Sequence, residues 1–432
     1  MNIAPDRPII AAAPRTGAAI DNLRAIVVLL VVAVHSVIAY LVAIGPGACP
    51  FDKPPWCWRT FSVVDAHRFI GFDIFCAWGD AWLMALFFLV SGFFVWPSLE
   101  RSGGLRFIQR RAIRLGPPFI IGIVVLMPIA NYPAYLQTMP NPGIADYFRR
   151  WFALPFWPAG PMWFLWFLLA FDIAVAAFFR LLPRQRRNMR RLSLYADAHP
   201  LCFLGGVLAL SELAYFPFGY PFGPMNWFQF GPFSFQLSFP GLYFLYFCVG
   251  IVMGACGLGN RLLATDGPLS RHWKSWTGVA AVFFAVWLFT CAKTYMHSAS
   301  ASPVWKIAEA LALPPACFTN CCCVLAATIR FANLRSRALD SLQRNSFEIY
   351  MLHCAFVVWT QYALLALDWP AIPKAAIVFV VTLTASWAAA TAFRRLPRLR
   401  LALGTGRRTA APFSPGPQSV LPLPGPQAAG RP

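Results

Sequence analysis

The chain is poor in charge, and above all in negative charge. Only 12% of its 432 residues are charged, with 16 Asp and Glu against 36 Lys and Arg. Soluble domains carry roughly 25% charged residues. The low charge, the 59% of hydrophobic residues and the mean hydropathy of +0.58 exclude an ordinary soluble domain. They predict an all-α, polytopic bundle of membrane helices.

Several other sequence signals are missing. The twelve cysteines include no Cys-x-x-Cys pair and no Cys/His zinc spacing, so we expect no metal site. The first twenty residues lack the order of a cleaved signal peptide, and no fixed-period repeat is present. Cys49 and Cys57 fall in the first predicted outside loop, where an oxidising compartment would permit a disulfide between them.

Hydropathy predicts about ten membrane spans and both termini in the cytoplasm. With that orientation 28 of the 36 Lys and Arg lie in inside segments and 8 outside, as the positive-inside rule requires. The net charge of +20 therefore reflects the orientation of the chain in the membrane. It predicts contact with the lipid bilayer and no nucleic-acid partner. The predicted domains are a cytoplasmic segment 1–20, a membrane domain 21–395 and a Pro-rich, disordered cytoplasmic tail 396–432. The predicted spans are 22–44, 78–97, 112–130, 160–182, 200–217, 238–257, 274–293, 306–328, 345–367 and 371–393.

The stretch DNLRAIVVLLVVAVHS, 21–36, places Arg24 and His35 on one helix face. Eleven residues separate them, which is about 16 Å of helix and about 20° beyond three full turns. A neutral imidazole can take a proton from a hydroxyl group and return it, and an arginine can bind phosphate. The alternative is a histidine that packs between helices and bonds a serine, beside an arginine that extends to the membrane surface.

A second basic cluster, RFIQRRAIRLGPP, lies on the same predicted side of the membrane as Arg24. Arg111 and Arg114 are three residues apart on one helix face, and Arg110 is adjacent. These side chains suit an anionic ligand, although a plain positive-inside anchor is the favoured explanation of this cluster taken alone.

A few further polar residues enter the predicted spans and are candidates for supporting roles. Tyr350 and His353 share a helix face, whereas Glu348 points elsewhere. Polar contacts that hold helices together explain this group at least as well as catalysis does. Asp172 can orient a histidine or pair with an arginine. The aromatic stretch 216–241 is either an interfacial belt or a platform for sugar rings. The full set of supporting candidates is Asp21, Ser91, Asp172, Glu348, Tyr350 and His353.

Together these motifs resemble the acyltransferase 3 family of integral membrane acyltransferases. The matching pieces, in the family's order, are DNLRAIVVLLVVAVH, ALFFLVSGFF, RRAIRLGPP, MWFLWFLL and FEIYMLH, spread over about residues 20–393. The extended first outside loop and the WFLWFLL helix resemble the branch that contains periplasmic glucan succinyltransferases.

The resemblance implies transfer of an acetyl or succinyl group from cytoplasmic acyl-CoA to a hydroxyl of a periplasmic or envelope carbohydrate. It implies a multi-pass protein of the bacterial inner membrane, with acyl-CoA as co-substrate and no permanently bound cofactor. His35 then matches the catalytic histidine, acting as general base or transient acyl carrier, and Arg24 the arginine of the same motif. Arg111 and Arg114, with neighbouring Arg110, match the donor-binding cluster.

Other functions remain open at this stage. The acceptor can instead be a small molecule or a lipid headgroup. A different class is a proton-coupled transporter or exporter of a small anionic metabolite, with His35, Asp172 and Glu348 as a proton relay. Transporters often show two similar halves with paired interrupted helices, a symmetry that this sequence does not display.

Overall fold

The computed structural model describes residues 13–45, 47–181, 185–255, 257, 261–295 and 302–395. Most of the N-terminal segment 1–20 and the whole predicted tail 396–432 therefore lie outside the described residues. Within those residues the regular secondary structure is helical apart from a two-stranded antiparallel hairpin, which confirms the predicted all-α class.

Long apolar helices make up almost all of the described chain. Their limits are α1 Ala13–Val37, α2 Ile70–Gly92, α3 Val95–Ile121, α4 Met127–Thr138, α5 Ile144–Ala153, α6 Trp163–Leu181, α7 Gln185–Ala198, α8 Pro200–Phe222, α9 Pro240–Ala255, α10 Pro268–Arg271, α11 Trp273–Tyr295, α12 Pro303–Phe331, α13 Arg337–Ala363 and α14 Ala371–Arg395. A π-helical segment, Gly122–Leu126, joins α3 to α4. The hairpin strands are β1 Trp227–Phe230 and β2 Phe233–Gln236, between α8 and α9.

Eight helical segments of the described chain are long and apolar enough to cross a bilayer. The α3–α4 segment counts as one of these, because it continues as a helix over Val95–Thr138. Two of the ten predicted spans do not meet both criteria. Helix α9 has only 16 residues, and α13 is 27 residues long but carries several polar side chains.

Contacts between helix termini define two ends of the bundle. Asn22, in α1, donates to the carbonyl oxygen of Ala332 at the end of α12 (2.7 Å). Arg394, at the end of α14, pairs with Glu348 in the first half of α13 (2.8 Å). The described chain thus enters in α1 and leaves in α14 at one end, which we call the basic end for its arginines. The opposite end, which holds loop 41–69 and the β-hairpin, is called the hairpin end.

Loop 41–69 is fastened to the hairpin end by several polar contacts. Lys374, at the start of α14, pairs with Asp65 over 2.7 Å, and both side chains are buried. Cys49 and Cys57 form a disulfide, with Cα atoms 5.8 Å apart. Arg59 donates a hydrogen bond to Gln229 of β1, so the loop also holds the hairpin in place.

Helices α2 and α9 approach so closely that only glycine fits between them. A Cβ atom on Gly92 would lie 2.2 Å from the carbonyl oxygen of Phe247, and one on Gly250 would lie 2.0 Å from that of Leu89. Such contacts between small residues let membrane helices pack backbone to backbone. They place α2 in the interior of the bundle, between α9, α1 and α12.

Candidate active site

His35 lies one turn from the end of α1 and presents one ring nitrogen to the interior. Its Nδ1 lies 2.8 Å from the carbonyl oxygen of Val31. A carbonyl only accepts, so Nδ1 carries the proton in the neutral ring and Nε2 keeps its lone pair. Ser36 donates instead to Val32 (2.7 Å) and does not bond the ring, so the serine-bonded packing histidine is not what the structure contains. The His35 side chain is half-buried and not fully enclosed by its neighbours.

His353, from α13, lies directly against His35. The ring centroids are 4.9 Å apart and the planes meet at 79°. His353 Nδ1 lies 2.6 Å from the carbonyl oxygen of Tyr350, so its Nε2 is also the basic nitrogen, and that atom has no hydrogen-bond partner among the described residues. The two histidines are 318 residues apart in the chain and form a pair only in the fold.

Gln361, two turns further along α13, holds the two helices in register. Its Nε2 donates to the carbonyl oxygens of His35 (3.0 Å) and Ser36 (3.3 Å). These carbonyls belong to the last turn of α1, where helix carbonyls lack a partner within the helix. Gln361 was not among the predicted site residues. Its position as an amide inside a predicted membrane span was the signal that could have identified it.

Arg24 and Asp21 lie at the basic end of the same helix. Arg24 sits over the ring of Phe94, at the junction of α2 and α3, with 5.3 Å between the guanidinium carbon and the ring centroid. Asp21 pairs with Arg335 over 3.4 Å. Because α1 is one continuous helix from Ala13 to Val37, Arg24 and His35 face the same side about 16 Å apart.

The predicted arginine cluster starts at a break in α3. Gly103 has φ +72°, a conformation that favours glycine, and the second part of α3 carries the arginines away from the basic end into the bundle. Arg111 pairs with Asp172 of α6: Nε and Oδ2 are 3.2 Å apart, and the Asp172 side chain is completely buried. Of the two roles open to Asp172, it therefore takes the arginine and not a histidine.

The other two arginines differ in their surroundings. Arg114, on the same face of α3 as Arg111, is half-buried, whereas Arg110 is exposed and donates to Ser102. Ser91 makes a local contact, since it donates to the carbonyl oxygen of Phe87 (2.9 Å). Tyr350 donates to the carbonyl oxygen of Pro161 and so joins α13 to the segment that precedes α6. Glu348, paired with Arg394, ties α13 to α14 away from the histidines.

Asp80 is a carboxylate that the sequence analysis missed. The predicted span began at residue 78, which put Asp80 at a membrane surface. Helix α2 in fact begins at Ile70, so Asp80 is ten residues inside it, about 15 Å from its start. The predicted span excluded the first turns of the helix, because Asp73 lowers their hydropathy.

These features define a polytopic helical membrane protein with a polar interior: a histidine pair near the middle and an arginine cluster towards one end. The acyltransferase 3 family, described as an acyltransferase domain, matches residues 18–391. The chain belongs to this family and is therefore a membrane acyltransferase, which transfers groups other than aminoacyl groups. No curated protein and no solved structure matches the chain.

The Arg111–Asp172 pair generates a stability prediction. Arg111→Met leaves the Asp172 carboxylate buried without its counter-charge, and breaking a buried ion pair costs about 3–5 kcal/mol. The double variant Arg111→Met, Asp172→Leu removes both charges and should regain most of the loss. Thermal unfolding of the detergent-purified protein, followed by intrinsic fluorescence, gives the unfolding temperatures of the single and double variants. Arg110→Met, which replaces an exposed arginine, is the control. Equal unfolding temperatures for single and double variants would contradict the pairing.

Proposed function

We propose that this membrane acyltransferase transfers an acetyl or succinyl group from cytoplasmic acyl-CoA to a hydroxyl of an extracytoplasmic carbohydrate. His35 carries the proposal: it is the member of the histidine pair with solvent access, and its Nε2 is available as a base. His353 is fully buried, which favours a supporting role for it beside His35.

In the proposed reaction His35 Nε2 takes the proton of the acceptor hydroxyl as its oxygen attacks the thioester carbonyl. The C–S bond then breaks, the imidazolium returns the proton to the departing thiolate, and the ester and CoA are released. In the covalent alternative, Nε2 first attacks the thioester, the C–S bond breaks and the CoA thiolate leaves; the hydroxyl then takes the acyl group from Nε2, and its proton passes to the thiolate. The hydrogen bond from Nδ1 to Val31 supports both routes, because it holds the ring with Nε2 directed away from its own helix.

The arginines of α3, together with Arg24, are the proposed binding site for the donor's phosphates. Arg111 and Arg114 are both candidates, and Arg114 is the one to test, because replacing Arg111 would also break its ion pair with Asp172. An acyl-CoA bound there can extend its pantetheine arm along α1, over the roughly 16 Å that separate Arg24 from His35.

The proposed orientation puts the basic end in the cytoplasm of a bacterium and the hairpin end outside its inner membrane. Two independent features support it. Lys and Arg are concentrated at the basic end, as expected for a cytoplasmic face. The Cys49–Cys57 disulfide lies at the hairpin end, and disulfides persist in an oxidising compartment such as the periplasm.

His35→Ala should abolish acyl transfer without unfolding the protein, since loss of a general base lowers the rate by about 10²–10⁴-fold. The measurement is mass spectrometry of acylated envelope glycans from cells that express each variant at equal membrane levels. His272→Ala, which removes an exposed histidine at the start of α11, is the matched control. Normal acylation by the His35→Ala variant would refute the proposed mechanism.

Arg114→Ala should raise the apparent KM for acyl-CoA about tenfold or more with a smaller effect on kcat, because a charge-assisted hydrogen bond contributes about 1.5–3 kcal/mol. Steady-state assays of the purified protein at varied acyl-CoA give this value. Arg106→Ala, an exposed arginine two turns earlier on α3, serves as the control. Equal KM values for acyl-CoA in the two variants would show that Arg114 acts only as a positive-inside anchor.

Membrane orientation is tested with two cysteines introduced at opposite ends. Leu334, 72% exposed between α12 and α13, marks the basic end, and Asp368, with a side chain 97% exposed, marks the hairpin end. Cys202, an exposed free cysteine, is first replaced by serine so that it does not react. In that background, Asp368→Cys should react with an impermeant maleimide in intact spheroplasts. Leu334→Cys should react only after the membrane is opened. The reverse pattern would invert the proposed topology.

A further inference from the structure

Three sides of α2 are covered by neighbouring helices. Trp78 donates to Asn320 of α12 over 2.8 Å. Gly79 faces Val34 of α1, whose side chain would lie 3.0 Å from a Cβ atom added at that glycine. The close glycine contacts described above cover the third side with α9. The contacts of Trp78 and Gly79 lie next to Asp80, whereas those with α9 lie further along α2 towards the basic end.

The fourth side of α2 carries Asp80, Met84, Phe87 and Ser91. Their spacing of four, three and four residues keeps them on one helix face. Phe87 shows where this face points: its ring centroid is 4.4 Å from that of Phe164 in α6 and 5.7 Å from that of Tyr350 in α13. The face therefore borders the interior space whose opposite walls are α6 and α13.

Asp80 is exposed although it lies about 15 Å along a helix that crosses the membrane. Since the fourth face of α2 points inwards, the carboxylate opens onto the interior of the bundle rather than onto lipid. Within the described residues it makes no hydrogen bond and no ion pair, whereas Asp65, Asp172 and Glu348 each pair with a cation. A carboxylate at this depth that faces the interior of the bundle is typical of a substrate path.

Asp80 faces the same space as His35. Helices α1 and α2 are antiparallel and touch at Val34 and Gly79, and in two antiparallel helices the residues that follow a shared contact turn to the same side. Those residues are His35 and Asp80. On the far wall, Tyr350 contacts Phe87 and is one turn from His353, which contacts His35.

We propose that Asp80 binds the acceptor, accepting hydrogen bonds from hydroxyl groups of a neutral carbohydrate next to His35; this inference rests on the proposed function. A carboxylate is an acceptor only and suits the neighbouring hydroxyls of a sugar. It repels the phosphates of acyl-CoA, which favour the arginines instead. The interior thus separates the two substrates by charge, with the anionic donor at the arginines and the neutral acceptor at Asp80.

The test uses the full-length purified chain, acyl-CoA, and the glycan fraction extracted from the envelope of the host bacterium as the acceptor probe. Asp80→Asn keeps the shape but loses half of the accepting capacity and the charge. It should raise the apparent KM for the glycan fraction about tenfold or more, since a hydrogen bond to a charged group contributes about 1.5–3 kcal/mol. The KM for acyl-CoA and the slow hydrolysis of acyl-CoA without glycan should not change. Glu212→Gln, a carboxylate variant on α8 outside the site, is the control.

Three outcomes would overturn the proposal: an unchanged glycan KM, an increase in the acyl-CoA KM instead, or loss of kcat alone. If Asp80→Asn does not elute as a folded protein, Asp80→Ser and Asp80→Glu replace it, and failure of all three to fold would make Asp80 structural. Failure of the unmodified chain to acylate the glycan fraction would refute the carbohydrate acceptor itself. An inactive His35→Ala variant beside an unaffected Asp80→Asn variant would refute the role of Asp80 alone.

Discussion

A bilayer offers no hydrogen bonds, and this constraint governs the arrangement of the polar residues in the bundle. Each buried ionic group must find its partner on another helix or loop, so the pairs also tie together segments far apart in sequence. Asp172 joins α6 to α3, Glu348 joins α13 to α14, and Asp65 joins the first loop to α14. Asp80 departs from these three examples, because it is exposed and makes neither a hydrogen bond nor an ion pair within the described residues.

The pairing of α1 with α13 creates the central site. Each histidine uses a carbonyl of its own helix to hold its Nδ1 proton, so the tautomer of each ring is set locally. Gln361 then bonds the final carbonyls of α1 and brings the two rings together. Each helix thus sets the tautomer of its own imidazole, and the hydrogen bonds of Gln361 hold the two helices in the register in which the imidazoles are in contact.

Charge changes sign along the interior of the bundle. Towards the basic end the space is bordered by arginines, near the middle by neutral imidazoles, and beside them by the carboxylate of Asp80. In the proposed reaction this order lets an anionic donor and a neutral acceptor reach the same histidine from opposite ends. In the same proposal the acceptor arrives from the hairpin end, where the loop that carries the disulfide and the hairpin held by Arg59 lie.

Much of this arrangement could be predicted from the sequence, because it depends on properties that are local in the chain. Apolar run lengths identify helices, and the eleven-residue spacing places Arg24 and His35 on one face. Contacts between distant segments could not be predicted, since hydropathy and spacing carry no information about which helix faces which. The His35–His353 pair, the choice of Arg111 as partner for Asp172, and the inward direction of Asp80 were decided by tertiary packing alone. Polar residues that a site requires also lower the hydropathy of the helix that carries them. The predicted span therefore began at residue 78, and the depth of Asp80 in α2 was not recognised.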